Sequence, residues 1–100
     1  TKGYGAGDNP ITSQLYASAI RYGYGELWFR PGLEHRQRML IAISSFTAIP
    51  LESQLRKFSQ SALNIGVSKD EVIEAVIQTG PYTGFPRALN GLAILSEVYA

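Results

Sequence analysis

The chain has 100 residues, of which 45% are apolar and 17% are charged, so it is long enough for one small domain with a modest core. Its net charge of +1 without a run of Lys or Arg argues against nucleic-acid binding, and no apolar stretch reaches the roughly 20 residues that cross a membrane. The absence of cysteine excludes disulfides and thiol chemistry, and one His without a cluster of acids leaves no metal site. We therefore expect a cytoplasmic protein without a metal, and the apolar surplus favours an oligomer that covers exposed apolar patches.

The first part of the chain predicts an arm followed by a helix. Residues 1–8 are rich in glycine and predict a flexible N-terminal arm, which leaves 9–100 as a single domain. Asn9 and Pro10 are typical of a helix cap and a first helical position, so the first helix is predicted to begin there and to run to about Arg21. Glycines beyond that point are expected to loosen it.

The middle of the chain predicts a short helical turn over 26–29, a Pro-Gly corner, and then the longest uninterrupted helix, over 33–49. The apolar face expected for that helix comprises Met39, Leu40, Ile43, Phe46 and Ile49. Further apolar residues lie beside this face, so we expect a central helix that is buried on more than one side. Pro50 is expected to end it.

Three further helices are predicted in the second half. The first carries an apolar stripe over 51–65, and the second begins at a capping box formed by Ser68 and Glu71 and ends at the Gly-Pro pair at 80–81. The third follows another Pro-containing start, and Gly91 inside it predicts close approach of a neighbouring helix. No strand pattern competes, so the chain is predicted to be all-α, with five to six helices joined by short turns.

Three stretches and two single residues together carry a recognisable pattern. The stretches are Gly-Glu-Leu-Trp-Phe-Arg-Pro-Gly-Leu over 25–33, Ala-Leu-Asn-Ile-Gly-Val-Ser over 62–68, and Tyr-Thr-Gly-Phe-Pro-Arg-Ala over 82–88. Arg38 and Gln78 lie between them. In this order and at these separations they resemble the carboxymuconolactone decarboxylase family, and its γ-carboxymuconolactone decarboxylase branch more than its redox branch.

The resemblance implies a compact bundle of five to six helices of the alkylhydroperoxidase-like type, which assembles into homotrimers or homohexamers. It also implies a decarboxylase of aromatic catabolism that acts on a small carboxylated lactone or a related unsaturated acid. In that reaction the loss of CO2 moves two electrons through the ring double bond to the lactone carbonyl, and the resulting dienolate is protonated. Because the substrate is its own electron sink, no cofactor is implied, and the protein holds the carboxylates, stabilises the oxyanion and delivers a proton.

Arg38 and Arg30 are the candidates for holding the substrate carboxylates, Arg38 as a catalytic residue and Arg30 as a binding residue, since a guanidinium grips a carboxylate in bidentate fashion. We expect both to turn inward to a dry cavity between the helices. Each has a structural alternative. Arg30 could pair with Glu26 or cap the turn, and Arg38 could pair with Glu34 four residues before it.

Two more residues are catalytic candidates. Tyr82 is predicted as an oxyanion donor or proton relay, with a buried tyrosine that caps a helix end as the alternative. Glu26 is predicted as a buried acid whose pKa the surrounding aromatic residues raise, with a solvated ion pair as the alternative.

The remaining binding candidates are Trp28, His35, Gln78 and Phe58. His35 has the side chain whose ordinary pKa lies nearest neutrality, although its place in the first turn of the long helix favours an exposed position. Gln78, like Asn90, is a polar residue on an otherwise apolar helix and is predicted either to line the pocket or to bond another subunit.

Phe58 marks a departure from the pattern of the family that this chain resembles. The Cys-x-x-Cys-x-x-x-His of the redox branch would fall on Leu51, Gln54 and Phe58, so a thiol peroxidase is disfavoured here. The decarboxylase branch usually has a His at the position of Phe58 too. Either the proton donor lies elsewhere, or the protein has lost decarboxylase activity and serves as an oligomeric binding or accessory protein.

Overall fold

The computed structural model describes residues 10–100, so the arm predicted over 1–8 and the cap predicted at Asn9 lie outside the described residues. Every regular element in the described range is helical, which confirms the all-α prediction. The α-helices are α1 (Ser13–Ser18), α2 (His35–Ala48), α3 (Glu52–Asn64), α4 (Lys69–Gln78), α5 (Gly80–Thr83) and α6 (Phe85–Val98). A π-helix (Ala19–Tyr24) continues α1, and a 3-10 turn (Leu27–Phe29) precedes α2.

The first helix widens where the sequence predicts its end. α1 stops at Ser18, and the chain continues as a π-helix after which the Gly25 amide donates to the Ile20 carbonyl at 2.9 Å. A Cβ at position 25 would lie 2.5 Å from the Arg21 carbonyl oxygen, so glycine is required at this close turn. The helical segment therefore extends beyond Arg21, in a wider form.

The Pro-Gly corner separates the 3-10 turn from α2, as predicted. Arg30 leaves the turn in an extended conformation, and Gly32 has a φ of 147°, which favours glycine. α2 begins at His35, slightly later than predicted, because Glu34 is its N-cap and the Glu34 amide donates to Gln37 Oε1 at 2.9 Å.

α2 is the central helix, as its apolar residues predict, and α3, α4 and α6 each pack against it. The buried core comprises Met39, Ile43, Leu55, Phe58, Ala62, Val67, Val72, Val76 and Leu95. Ile49 was predicted on the inner face but is 65% exposed, because α2 ends at Ala48 and Ile49 has an extended backbone. Leu51 is 44% exposed for a similar reason, since it precedes the first residue of α3.

The connections around α4 and α6 follow the Gly and Pro signals with one difference. The Glu71 amide donates to Ser68 Oγ at 3.1 Å and the Ser68 amide donates to Glu71 Oε1 at 2.9 Å, which confirms the capping box. The pair at 80–81 does not end helical structure but opens α5, because proline is tolerated in the first turn of a helix. Gly84, with a φ of 102°, then turns the chain into α6.

Much apolar surface of the single chain remains exposed. Large apolar side chains that are more than half exposed include Ile11, Leu15, Tyr22, Phe29, Ile41, Ile49, Tyr82, Phe85 and Leu89. Exposed surface of this kind favours association with another molecule. Within residues 10–100, no helix combines the length and the apolar character that a bilayer crossing requires.

Candidate functional site

Arg38 is held at the corner by backbone carbonyls. Its Nη2 donates to the Arg30 carbonyl at 2.7 Å and its Nε donates to the Leu33 carbonyl at 3.3 Å. The alternative predicted for it, a pair with Glu34, is not among the ion pairs of residues 10–100. Because a guanidinium has five N–H donors, these two bonds fix its orientation and leave further donors for an anion.

Arg38 lines a depression of about 250 Å³, which we call the corner depression. Its other walls are Leu27, Trp28, Leu33, Ile41 and Ala42. These walls are apolar, and a charge attracts a carboxylate more strongly where the surroundings are less polar than water. The corner depression is therefore suited to one carboxylate of a small organic acid whose apolar part packs on the walls.

His35 connects the corner to the start of α2. Its Nε2 lies 3.0 Å from the Trp28 carbonyl oxygen, and its ring meets the rings of Trp28 and Phe29 edge-on, at centroid distances of 5.7 Å and 5.3 Å. His35 is exposed, as its position in the helix predicts. These contacts join the start of α2 to the turn that carries Trp28, a wall of the corner depression.

Gln78 and Tyr82 line a second depression, of about 470 Å³, which we call the α2–α4 depression. Its walls from α2 are Leu40, Ile41, Ser44, Ser45 and Ala48. Tyr82 is 78% exposed, so the alternative of a buried tyrosine does not hold in this chain. Small side chains in α2 open this space, a signal that the sequence analysis missed.

The predicted site residues thus fall into two neighbouring groups. Ile41 belongs to the walls of both depressions, with Arg38 and Trp28 on one side and Gln78 and Tyr82 on the other. Both depressions are open at the surface of α2, whereas we expected one dry cavity between the helices. The apolar residues of α2 predict that this helix is largely buried. They do not show which of its sides stays uncovered, so the open depressions were not predicted.

Arg30 and Glu26 lie outside these groups. Both residues are exposed, and no ion pair joins them within the described part of the chain. Arg30 contributes its carbonyl to the corner as the acceptor for Arg38. The prediction of Glu26 as a buried acid is wrong for this chain, because the residue is exposed and precedes a turn that has no buried residue.

Phe58 lies in the buried core. It is 7% exposed, and its ring packs edge-on against Phe46 with the ring centroids 4.9 Å apart. It lines neither the corner depression nor the α2–α4 depression. The decarboxylase branch that this chain resembles usually has a His at this position. Here the position holds an apolar core residue.

Sequence analysis also missed an ion pair that joins α2 to α4. Arg36 Nη2 donates to Glu71 Oε1 at 3.0 Å, and Arg36 Nη1 contacts Glu71 Oε2. This hydrogen bond, with that from the Ser68 amide, lowers the pKa of Glu71 from 4.5 to about 2. The capping box of Glu71 was visible in the sequence, but a partner 35 residues away was not.

A cleft of about 330 Å³ between α3 and α6 holds two more guanidinium groups. Arg56 Nη2 donates to Glu52 Oε2 at 2.8 Å and to Glu97 Oε1 at 2.6 Å, and Arg87 binds a backbone carbonyl. Asn90 lines this cleft. The two carboxylates balance the two guanidinium groups, so the corner depression is better suited to an organic anion.

Comparison with known proteins supports the pattern found in the sequence. The profile of the carboxymuconolactone decarboxylase family matches residues 13–97. The chain is 34% identical over 79 residues to 4-carboxymuconolactone decarboxylase of Acinetobacter baylyi, covering 79% of this chain and 59% of that protein. It is 29% identical over 88 residues to nitrosuccinic acid decarboxylase of Metarhizium robertsii, covering 88% of this chain and 62% of that protein.

A third relative is an uncharacterised 15.0 kDa protein of Paracoccus denitrificans, which is 31% identical over an alignment of 92 positions that covers 90% of this chain and 69% of that protein. The chain therefore spans 59% and 62% of the length of the two decarboxylases. The family profile covers most of the described residues and includes the corner, α2 and the Gln78–Tyr82 region. This chain belongs to the carboxymuconolactone decarboxylase family.

Proposed function

We propose that this protein is a cofactor-independent carboxy-lyase that removes CO2 from a small carboxylated lactone or a related unsaturated acid. The observation that carries the proposal is the Arg38 guanidinium, which two backbone carbonyls hold at the apolar wall of the corner depression. Two relatives are a 4-carboxymuconolactone decarboxylase and a nitrosuccinic acid decarboxylase, which supports the reaction class.

The reaction breaks the bond between the ring γ-carbon and its carboxylate carbon. The electron pair moves through the ring double bond to the lactone carbonyl, and the resulting dienolate takes up one proton. Because no electron enters or leaves, the protein has to supply only orientation, charge stabilisation and the proton.

Arg38 is proposed to hold a carboxylate that the product retains. A guanidinium bound to the departing carboxylate would stabilise the substrate more than the transition state, since that group loses its charge as CO2 forms. The departing carboxylate is better placed against an apolar wall such as Trp28. This assignment uses the fixed cation for orientation and leaves the reacting carbon beside apolar side chains.

Tyr82 is proposed to stabilise the oxyanion or to relay the proton, and Gln78 is proposed to donate a hydrogen bond to the oxyanion. They lie across Ile41 from Arg38, and a small acid that extends over Ile41 reaches both depressions. A phenol hydroxyl donates a hydrogen bond to a developing oxyanion, and the Gln78 amide can do the same.

The buried position of Phe58 favours a second candidate, a family member that binds a related acid without decarboxylating it. An apolar ring packed on Phe46 supplies no proton. In that case Arg38 and the depressions would still bind an organic acid, but protonation would lack its usual donor. Gain of decarboxylation in Phe58→His would support this second candidate, and fast turnover by the unmodified protein would rule it out.

The experiment is incubation of the purified protein with carboxymuconolactone while CO2 release is followed. We expect turnover that falls about 10- to 100-fold in Arg38→Ala, the size expected for a lost charged hydrogen bond. Arg87→Ala is the matched control, because Arg87 also binds a backbone carbonyl but lines the other cleft. If no CO2 is released at high protein concentration, the proposal is wrong for this substrate.

A further inference from the structure

We call α1 and the π-helix that continues it (13–24) the leading segment. Within the described residues, this segment packs mainly against the 3-10 turn and has fewer contacts with α2–α6. It consists of two six-residue helical stretches. Isolated helices shorter than about 12–15 residues are marginal in water. Leu15 in this segment is 73% exposed and Tyr22 is 61% exposed. Exposed apolar side chains on so short a helical segment favour packing against a further surface.

The helical body of the same chain offers an open groove. The α2–α4 depression adjoins a depression of about 430 Å³ that shares Leu40, Ala75 and Gln78 with it and adds Asp70, Glu71 and Glu74. We call the two together the α2–α4 groove. One end is apolar with a floor of small side chains, and the other end is acidic.

The leading segment and the α2–α4 groove match in length and in charge. A helix of that length extends roughly 18 Å, and the ten residues of α4 extend roughly 15 Å at 1.5 Å per residue. Arg21 is the charged residue of the segment, whereas the groove carries Asp70 and Glu74 in addition to the Glu71 that Arg36 engages. Opposite charges at one end and apolar surfaces at the other favour a single orientation.

We propose that the leading segment of one copy docks along the α2–α4 groove of a second copy, with Arg21 beside Glu74 and Leu15 across the mouth of the apolar end. The segment then runs antiparallel to α4. Because Gln78 and Tyr82 line the apolar end, the second copy covers the open side of the site. This inference rests on the proposed function only for the identity of the ligand that the second copy would enclose. Its test measures self-association and not turnover.

A charge swap tests the orientation by analytical ultracentrifugation over a range of protein concentrations. We expect Arg21→Glu and Glu74→Arg each to weaken self-association about tenfold or more, because each places like charges together. The combined swap is expected to restore it. Lys57→Glu on α3 is the matched control for the change in net charge in Arg21→Glu and should leave association unchanged.

Three outcomes of the swap would overturn the proposal. A protein that is monomeric at every concentration has no second copy in the groove. An oligomer that neither single substitution weakens associates through another face. Weakening by both single substitutions without recovery in the combined variant would show that the two charges do not meet.

Cross-linking distinguishes docking of the leading segment on a second copy from docking on the groove of its own chain. The chain has no cysteine, so introduced cysteines are the only ones that react. Leu15→Cys and Ser45→Cys proteins, prepared separately and mixed, are expected to join through a short bismaleimide. Leu63→Cys on α3 replaces Ser45→Cys as the control and should not join. If linkage arises only when both cysteines are in one chain, the segment occupies its own groove and the proposal is wrong.

The two proposals fail separately. Loss of CO2 release with intact association in Arg38→Ala concerns the chemistry alone. Loss of association in Arg21→Glu tests the docking by itself, whether or not turnover falls when the site is uncovered, since Arg21 lines neither depression.

Discussion

Gly91 in α6 lies so close to Val76 in α4 that a Cβ at position 91 would come within 2.9 Å of Val76 Cγ1. The same Cβ would lie 3.0 Å from Thr47 Cγ2, and both neighbours are buried. We expect Gly91→Ala to lower the free energy of unfolding by about 1 kcal/mol net, because overpacking costs about 1–3 kcal/mol and the helix propensity of alanine returns about 1. Urea unfolding of both proteins measures this difference in the free energy of unfolding.

The control for this contact is the same substitution in a Val76→Ala background. Removal of Cγ1 relieves the closest approach and leaves that to Thr47, so Gly91→Ala should cost less there. An equal loss of stability in both backgrounds would show that Val76 is not the residue that Gly91 accommodates.

The ion pair between Arg36 and Glu71 predicts an acid dependence of stability. The pKa of Glu71 is lowered from 4.5 to about 2, so its contribution to stability is fully present above pH 4.5 and is lost as the pH falls from about 4.5 to about 2. Glu71→Gln should therefore flatten the fall in stability over that window, measured by urea unfolding at several pH values. Arg36→Gln should flatten the same window, and the double variant should add nothing. Additive effects would contradict a shared origin.

Ser59 carries a buried hydroxyl that accepts and donates no hydrogen bond among residues 10–100, although its carbonyl accepts from the Tyr99 hydroxyl at 2.7 Å. We expect Ser59→Ala to stabilise the protein by about 1 kcal/mol, because a buried hydroxyl without a partner is costly. Ser61→Ala in the same helix is the matched control, since Ser61 is exposed and reports only helix propensity. Thermal unfolding of both variants measures the difference, and a gain no larger at Ser59 than at Ser61 would contradict the expectation.

The local part of the fold was predictable because its signals lie within a few residues of one another. Ser68 and Glu71 cap α4 as predicted, and Gly91 permits the close helix contact expected of it. Ile49 was misplaced because the periodicity of α2 was extended past its last residue. A chain turn of one or two residues moves a side chain from the core to the surface.

The site was predicted less completely because its contacts join distant parts of the chain. An ion pair with Glu34 was a reasonable expectation for Arg38 from helical spacing, yet the Pro-Gly corner brings two backbone carbonyls nearer. Every residue has a backbone carbonyl, so the residue types do not show which carbonyls accept these hydrogen bonds. The side of α2 left open between Ile41 and Tyr82 likewise depends on how α4 and α5 pack, which no local pattern contains.

Phe58→His is expected to lower stability in a pH-dependent manner. Phe58 is 7% exposed and packs against Phe46, so an imidazole placed there would lose apolar contacts and bury polar nitrogens, costing about 3 kcal/mol or more. Burial lowers the pKa of a His below its ordinary value of about 6.5. The unfolded chain then binds the proton more readily, so stability falls further as the pH drops below about 6.5.

Urea unfolding of Phe58→His at pH 5.5 and pH 7.5 measures this effect, with Phe58→Leu as the apolar control that should show no such difference between the two conditions. A Phe58→His protein that is equally stable at both pH values would contradict a closed core, because its imidazole would then titrate as it does in the unfolded chain. The position would in that case be open to water and to a substrate. Decarboxylation gained by the same variant would follow from that opening, whereas a buried, uncharged imidazole would leave the proton supply to Tyr82.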